Sequence, residues 1–244
     1  MKKLLVRQIQ QKAPQSILRW LIKLDARSTL VPIDILPDKY QEALSMLIAQ
    51  RGDREFGDYL EFGVFQGSST TCMYRAATAL GLDKMRFIGF DSFEGLPAQA
   101  NQEDDNVFSA GDYYCSLSYT QAYLKENNVD MSRVTLIKGW FDHTCNSETA
   151  KEYNIKKASI INIDCDIYSS TKTALQFCKP FIKDDTIIFF DDWNSGDLAD
   201  KGLGERKAFE EFLKENKQFE ARELKHLSYN KYSTAFYVRV NNID

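Results

Sequence analysis

The chain has 244 residues, of which 43% are hydrophobic and 27% charged, and its formal net charge is −4. This composition predicts one globular domain with a sizeable core, or one domain with an appendage, and excludes wholesale disorder. Residues 1–27 hold seven basic side chains and one acidic one, so they carry +6 while the other 217 residues carry −10. The negative main body disfavours general nucleic-acid binding.

The cysteine pattern and the lack of long apolar runs indicate a cytoplasmic protein. Five cysteines lie at scattered positions without a CxxC pair, which is typical of reduced thiols rather than of a disulfide framework or a zinc site. No stretch approaches the ~20 apolar residues of a membrane span. The basic start of the chain has too short an apolar run for a secretory signal.

Residues 1–52 are predicted to form an N-terminal helical extension, followed by a main domain over residues 53–244. Apolar residues between Ile17 and Leu24 fit one helical face, and a second helix is expected over about Asp38–Gln50. The basic first helix is interpreted as a lid or as a contact within a homo-oligomer. Contact with an anionic membrane surface is the alternative.

Strand and helix patterns alternate through the main domain, which predicts an α/β fold with a mostly parallel, doubly wound sheet. Two later strand patterns, roughly Phe219–His226 and Ala235–Val240, are expected to close as an antiparallel hairpin. The five earlier strands are predicted at Tyr59–Val64, Arg86–Asp91, Val134–Lys138, Ser159–Asp164 and Thr186–Phe190.

A long polar excursion over residues 92–128 follows the second strand. Long loops with this placement are often lids or substrate-binding loops, and a variable surface loop is the alternative interpretation.

Three aspartates are the most informative residues of the chain. Asp164 ends the apolar run from Ile160, and Asp191 and Asp192 end the run from Ile187. If these strands are parallel neighbours, three carboxylates meet at one edge of the sheet, where an unpaired buried charge is costly. Such a cluster favours a cation, and carboxylate oxygens suit Mg²⁺ or Ca²⁺.

A glycine-containing turn and a second acid indicate a nucleoside-type cofactor. The first strand leads into E61-F-G63-V-F-Q-G67, where glycines let a ligand approach the backbone and the start of a helix. The second strand ends at Asp91, which is placed to bind ribose hydroxyls. An ordinary tight turn and a helix cap at Asp91 are the alternative interpretations.

Several motifs together resemble the metal-dependent macrocin O-methyltransferase family, a class of S-adenosylmethionine-dependent enzymes that methylate sugar hydroxyls. The resemblance covers about residues 57–213 and implies a seven-stranded sheet, S-adenosylmethionine and Mg²⁺ as cofactors, and a sugar-containing acceptor. The motifs are E61-F-G63-V-F-Q-G67, F90-D-S-F-E-G-L-P97, K138-G-W-F141, D164-C-D166-I-Y-S-S170-T171 and D191-D192-W193.

The resemblance also implies residue roles. Asp166 matches the general base, with His143 as an alternative base or acceptor contact. Because Asp164 and Asp166 are two apart on a predicted strand, we expect them to share one face. Trp193 is interpreted as a wall of the acceptor site or as core packing. Metal ligands are expected at Asp164, Asp191 and Asp192, and cofactor contacts at Glu61, Gly63, Gly67, Asp91, Ser92, Gly139 and Trp140.

Two other functions remain open at this stage. A nucleotide-dependent oxidoreductase would also use a turn and an acid, but G-x-G-x-x-G is absent and the aspartates are unexplained. A non-catalytic membrane-surface protein would use residues 1–27 and a degenerate pocket, whereas the acid cluster is intact. The acceptor is equally open among a natural-product deoxysugar, a nucleotide sugar and a polysaccharide sugar.

Overall fold

The computed structural model describes residues 13–14, 17–18, 31–51 and 56–241. Seven strands within these ranges form one sheet with the order β3-β2-β1-β4-β5-β7-β6. The strands are β1 (Asp58–Phe62), β2 (Phe87–Asp91), β3 (Val134–Lys138), β4 (Ala158–Ile163), β5 (Thr186–Phe190), β6 (Phe219–Glu223) and β7 (Thr234–Val240).

The first five strands are parallel to one another, and β7 runs antiparallel to both β5 and β6. The predicted seven-stranded α/β sheet with a closing antiparallel hairpin is therefore confirmed. Its strand order reverses between β1 and β4, and ligands of open α/β sheets bind beyond the strand ends at such a point.

Helices cover both faces of the sheet. They are α1 (Leu36–Arg51), α2 (Ser68–Ala79), α3 (Leu117–Glu126), α4 (Phe141–Thr144), α5 (Ser147–Glu152), α6 (Tyr168–Cys178), α7 (Leu198–Lys201) and α8 (Gly204–Glu215). Among the described residues no helix combines the length and apolar character needed to cross a membrane.

Side-chain alternation along the strands divides the core into two layers. On β5, Ile188 and Phe190 face the layer that contains Phe209 of α8, whereas Ile187 faces the layer that contains Leu44 of α1. Both faces of β5 are therefore apolar, as expected for a strand in a covered parallel sheet.

Helix α1 belongs to the main core. Its Tyr40 is fully buried and its hydroxyl lies 3.2 Å from Asn162 Oδ1 on β4. The predicted domain boundary at residue 52 would therefore divide α1 from the core against which the buried face of α1 packs. Most of the predicted first helix lies outside the described residues, and the proposed lid, subunit and membrane roles of this segment stay predictions.

Candidate active site

The acid cluster follows from the register of the central strands. Phe62 pairs with Ile163, and Ile163 pairs with Phe190. Asp164 and Asp191 are the first residues after β4 and β5, and their backbone N–H groups donate to Phe62 O at 2.9 Å and to Ile163 O at 3.1 Å. The two aspartates therefore leave adjacent strands at the same height, beside the reversal of strand order.

Asp164, Asp191 and Asp192 each place one carboxylate oxygen within 4.8 Å of the other two. Burial, followed by the charges of Asp191 and Asp192, raises the pKa of Asp164 well above its usual range. Burial and the neighbouring Asp191 raise the pKa of Asp192 to about 7. Three converging carboxyl groups that oppose one another's ionisation form a site that a cation would stabilise.

The β6–β7 connection orients Asp191. The Tyr229 hydroxyl donates to Asp191 Oδ1 at 2.6 Å, and Asn230 Nδ2 lies 3.4 Å from the same atom. Burial raises the pKa of Asp191, and these two hydrogen bonds oppose that rise. The sequence analysis missed both residues, because they lie 38 and 39 positions away along the chain.

Asp192 is held by its side chain and by its backbone. Ser195 Oγ donates to Asp192 Oδ1 at 2.6 Å, and Asp192 N donates to Glu205 Oε2 at 3.1 Å. Glu205 is fully buried at the start of α8, where burial and the charge of Asp192 raise its pKa well above the usual range. Glu205 therefore ties the start of α8 to the backbone of Asp192 and helps to fix the turn that presents it.

Asp166 reaches the cluster by a route that differs from the predicted one. Strand β4 ends at Ile163, and Asp166 adopts a left-handed backbone conformation with φ of 67°. The expectation that Asp164 and Asp166 share a strand face is therefore wrong, because neither residue is on the strand. The turn nonetheless buries the Asp166 side chain in the cavity that holds the cluster, where burial and then the charge of Asp192 raise the pKa of its carboxyl well above the usual range.

Gly63 is required by a close approach of two backbone segments. A Cβ atom at Gly63, where φ is +89°, would lie 1.6 Å from the backbone oxygen of Asp164. The sequence-based interpretation assigned this glycine to ligand approach. The structure shows that it also lets the turn after β1 lie directly against the residue that carries the first cluster carboxylate.

Asp91 organises the glycine turn. Its Oδ2 accepts hydrogen bonds from the backbone N–H groups of Val64 and Phe65, each at 2.8 Å, and its Oδ1 accepts one from Phe93 N at 2.5 Å. Asp91 lines the cavity described below, so its carboxylate fixes the turn and faces the space where a ribose would bind. The proposed ribose contact stays a prediction.

Glu61 lies beneath this turn. Its fully buried carboxyl accepts hydrogen bonds from the hydroxyls of Ser69 and Thr70 on α2. Glu61 and Gly67 are the two predicted cofactor contacts that do not line the cavity. The structure therefore supports a positioning role for Glu61, which ties the end of β1 to the start of α2.

The Glu61→Gln variant is expected to change the pH dependence of stability. Burial raises the pKa of Glu61 from 4.5 to about 7. The folded state therefore holds this proton more tightly, and wild-type stability from this group falls as pH rises from about 4.5 to about 7. Relative to Glu61→Gln, the free energy of unfolding should fall by roughly 3 kcal/mol across that window, measured by urea denaturation. Parallel curves for the two proteins would contradict this assignment, and the exposed Glu152→Gln is the control.

One cavity of about 640 Å³ brings the remaining predicted site residues together. A volume of this size is typical of a small-molecule site. The predicted residues that line it are Gly63, Asp91, Ser92, Gly139, Trp140, His143, Asp164, Asp166, Asp191 and Asp192.

His143 does not lie beside the acid cluster in the sheet. It follows β3, which is separated from β4 by β2 and β1. Three strand spacings correspond to about 14 Å along the sheet. His143 is an exposed residue near the Gly139–Trp140 turn, so the geometry favours Asp166 as the base.

The polar excursion is docked onto the site. Asp104 Oδ2 accepts from Tyr168 N at 2.8 Å and Asp104 Oδ1 from Gly204 N at 2.9 Å, while Glu103 Oε2 accepts from Ser169 N at 2.9 Å. These carboxylates supply acceptors for N–H groups at the start of α6 and α8. They explain why α6 begins at Tyr168.

Trp193 does not line the cavity. Its ring lies 5.0 Å from the Phe236 ring and 5.2 Å from the Phe190 ring, between centroids. Of the two interpretations of Trp193, core packing is therefore the one the structure supports.

Comparison with known proteins adds family information to this geometry. The family described as Macrocin-O-methyltransferase (TylF) matches residues 38–221, three quarters of the chain. A curated protein of Streptomyces olivaceus, 8-demethyl-8-(2,3-dimethoxy-alpha-L-rhamnosyl)-tetracenomycin-C 4'-O-methyltransferase, is 27% identical over 143 residues. That match covers 56% of this chain and 53% of the relative, so it spans about half of the relative's length.

Solved methyltransferase structures share the fold. The O-methyltransferase NovP superposes with a TM-score of 0.67 at 16% identity, covering 84% of this chain and 79% of NovP. An O-methyltransferase from Bacillus cereus, solved in complex with SAH, superposes with a TM-score of 0.56 at 15% identity, covering 96% of each chain. At these identities the likeness establishes the fold.

Proposed function

The chain belongs to the macrocin O-methyltransferase family, and we propose that it catalyses Mg²⁺-dependent methyl transfer from S-adenosylmethionine to a sugar hydroxyl. The observation that carries this proposal is the convergence of Asp164, Asp191 and Asp192 in the cavity that also contains the Gly63 turn. A metal site and a nucleoside site that share one cavity support a reaction between two bound molecules.

The aspartate cluster fits a divalent cation. Oxygen ligands of an octahedral Mg²⁺ lie about 2.0–2.1 Å from the ion, so opposite ligands are about 4.2 Å apart. The cluster oxygens lie within 4.8 Å of one another, and a small closure would bring Asp164, Asp191 and Asp192 onto one ion. The raised carboxyl pKa values reflect burial and mutual repulsion, and a bound cation would relieve that repulsion.

The turns after β1, β2 and β3 fit S-adenosylmethionine. Gly63 and the backbone held by Asp91 leave space against the start of α2, and Ser92 and Gly139 border the same cavity. Trp140 supplies an aromatic face near Gly139, and we propose that the adenine lies beside that turn. The strand order reverses between β1 and β4. The proposed cofactor site then lies on the β1 side of this point, and the acid cluster lies on the β4 side.

The residues of the cavity have two tasks in this reaction. They align the two reactants, and they remove the proton from the acceptor hydroxyl. When bound, S-adenosylmethionine supplies a sulfonium methyl group, and Mg²⁺ supplies Lewis acidity that makes an alcohol oxygen a better nucleophile. Asp166 accepts the hydroxyl proton as the oxygen–carbon bond forms and the carbon–sulfur bond breaks, with its electron pair left on sulfur. The cavity walls would hold the acceptor and the methyl donor side by side for this transfer.

Five free cysteines support the proposal of a reducing, cytoplasmic location.

The acceptor is proposed to carry a sugar, as the name of the Streptomyces olivaceus relative specifies for that protein. Methyl α-L-rhamnopyranoside is a suitable minimal probe, because that name contains a rhamnosyl group.

Methyl transfer is expected to stop when the divalent ion is removed. S-adenosylhomocysteine should raise the melting temperature of the protein, NAD should not, and Mg²⁺ should add a further shift. Asp191→Asn should abolish that Mg²⁺ shift and most label transfer from S-adenosylmethionine to the rhamnoside, because the variant loses an anionic ligand that Tyr229 and Asn230 hold in place.

The control is Asp184→Asn, which replaces an acid outside this cavity and should keep the Mg²⁺ response. Full activity in excess chelator would refute the metal-dependent reaction. Stabilisation by NAD and not by S-adenosylhomocysteine would instead favour an oxidoreductase.

A further inference from the structure

We propose that Tyr113 is an acceptor-binding residue, and that it contacts an uncharged pyranoside at the acidic side of the cavity. The inference rests on the proposed function and adds to it the contact residue and the charge class of the acceptor. Tyr113 lies in the excursion between β2 and α3, a segment that the sequence left open as a substrate loop or a variable surface loop.

The backbone of Tyr113 is held in an unfavourable conformation. Its φ is +54°, in the left-handed region that residues other than glycine, asparagine and aspartate rarely adopt. A conformation of this kind persists only where the surrounding structure enforces it, and it is often found at ligand sites. The side chain is 43% exposed, so packing of the ring in a core does not account for this conformation.

The surrounding structure fixes Tyr113 from both sides. Leu96 and residues 111–112 exchange backbone hydrogen bonds, from Leu96 N to Asp112 O at 2.9 Å and from Gly111 N to Leu96 O at 2.8 Å. A Cβ at Gly95 would lie 2.6 Å from Asp112 O, which explains the glycine in D91-S-F-E-G95-L-P. That motif therefore clamps the residue before Tyr113.

The buried side chains on either side anchor the rest of the segment. Phe108 packs in a cluster with Ile167, which follows Asp166, and Cys115 packs against Tyr119 of α3. The segment is thus attached to the body of the protein before and after Tyr113. These contacts favour a fixed wall of the site over a variable surface loop.

The side chain of Tyr113 packs against the cofactor turn and lines the same cavity as the acid cluster. Its ring meets the ring of Phe65 edge-on, with centroids 6.4 Å apart, and Phe65 N is held by Asp91. The charges of Asp166 and Asp192 contribute, after burial, to raising the pKa of the Tyr113 hydroxyl. Among the described residues this hydroxyl has no hydrogen-bond partner, so it is available to an acceptor.

The charge of the cavity selects the class of acceptor. Six aspartates line it, namely Asp91, Asp142, Asp164, Asp166, Asp191 and Asp192, whereas no described lining residue is lysine or arginine. A sugar phosphate needs positive charge or backbone N–H groups to offset its own charge, and the charge of the one divalent ion proposed here is already offset by the surrounding carboxylates. A neutral sugar needs hydrogen bonds and an aromatic surface, which Tyr113 provides.

The test compares Tyr113 variants in the presence of S-adenosylhomocysteine and Mg²⁺, with dissociation constants from ligand-observed NMR. Tyr113→Phe should raise the dissociation constant of methyl α-L-rhamnopyranoside by roughly 3–10-fold, because one hydrogen bond is lost. Tyr113→Gly should raise it further, since the ring is also lost, and glycine accepts the left-handed backbone without strain.

Affinity for S-adenosylhomocysteine and for Mg²⁺ should change by less than about twofold in both variants, because neither site loses a ligand. Tyr74→Phe is the control, because Tyr74 lies on α2 outside the cavity. Rhamnose 1-phosphate should bind the wild type more weakly than the methyl glycoside.

The outcomes separate this inference from the proposed function. A wild type that binds S-adenosylhomocysteine and Mg²⁺ but not the rhamnoside, or that prefers the phosphate, overturns the uncharged-pyranoside proposal and leaves the proposed function standing. Unchanged rhamnoside affinity in Tyr113→Phe and Tyr113→Gly overturns the role of Tyr113. Failure of the wild type to bind S-adenosylhomocysteine or Mg²⁺ refutes the proposed function itself.

Discussion

Replacement of Asp166 by asparagine is expected to lower the turnover number of methyl transfer by roughly 10²–10⁴-fold, the usual contribution of a general base. Asparagine keeps the size of the side chain but cannot accept the hydroxyl proton. Asp166 is buried and lines the acidic cavity together with Asp164, Asp191 and Asp192, so its carboxyl is the one next to the proposed metal ligands.

Two matched variants distinguish the base from a metal ligand. Asp164→Asn should weaken Mg²⁺ binding, because Asp164 offers one of the three cluster oxygens. Asp166→Asn should leave Mg²⁺ affinity near that of the wild type. His143→Ala should affect turnover far less than Asp166→Asn, since His143 follows β3 rather than β4.

The measurement is turnover with saturating S-adenosylmethionine, paired with Mg²⁺ affinity from calorimetry. If Asp166→Asn loses Mg²⁺ as severely as Asp164→Asn, then Asp166 is a ligand and the division of roles fails. If Asp166→Asn turns over normally while His143→Ala does not, the base has been assigned to the wrong side of the sheet.

The position of the acid cluster could be predicted because it depends on the local pattern of the sequence. Apolar runs that end in Asp164 and Asp191 predict strands with acids at their carboxyl ends, and a parallel sheet brings such ends together. The structure adds the register, in which Ile163 pairs with Phe190 and the two aspartates follow at one height. The hydrophobic pattern of a sequence predicts where its strands lie. The register between neighbouring strands depends on how the whole sheet packs.

The hydrogen bonds that hold the site residues in place could not be predicted, because they join residues that lie far apart along the chain. Tyr229 donates to Asp191 across 38 positions, and Asp104 accepts from Gly204 across 100. No periodic signal links such residues in a single sequence. Glu205 shows the same limit, since its helix pattern gives no sign that its carboxyl accepts from Asp192 N.

Short turns were the other source of error. The alternation used to place Asp166 holds within a strand, but β4 ends at Ile163 and the next residues turn sharply. Alternation along β1 does account for Glu61, whose side chain points toward α2 and away from the cavity. The spacing of Glu61, Gly63 and Gly67 thus located the turn correctly. It did not show to which side of the strand the Glu61 side chain points.

Gly63→Ala is expected to damage both the metal site and the fold. A methyl group at this position would lie 1.6 Å from Asp164 O, a backbone atom that cannot rotate away. The turn after β1 and the start of the acid loop must therefore separate. We expect a loss of at least about 4 kcal/mol in the free energy of unfolding, at the upper end for single substitutions, and weaker Mg²⁺ binding.

Gly81→Ala separates this contact from backbone strain. Gly81 also has positive φ, +70°, but a Cβ there would have nothing within 4 Å. Its replacement should therefore cost only the left-handed conformation, about 1–2 kcal/mol, and should leave Mg²⁺ binding unchanged. Urea denaturation and Mg²⁺ titration of the two variants measure the difference directly.

The close contact between Gly63 and Asp164 also limits what a substitution at Gly63 can reveal about cofactor binding. A larger side chain such as valine would also enter the proposed cofactor space, but every Cβ at this position first meets Asp164, a proposed metal ligand. Loss of S-adenosylhomocysteine binding in Gly63→Ala should therefore be accompanied by loss of Mg²⁺ binding. A variant that loses the first, keeps the second and is as stable as Gly81→Ala would show that Gly63 serves the cofactor and not the junction with Asp164.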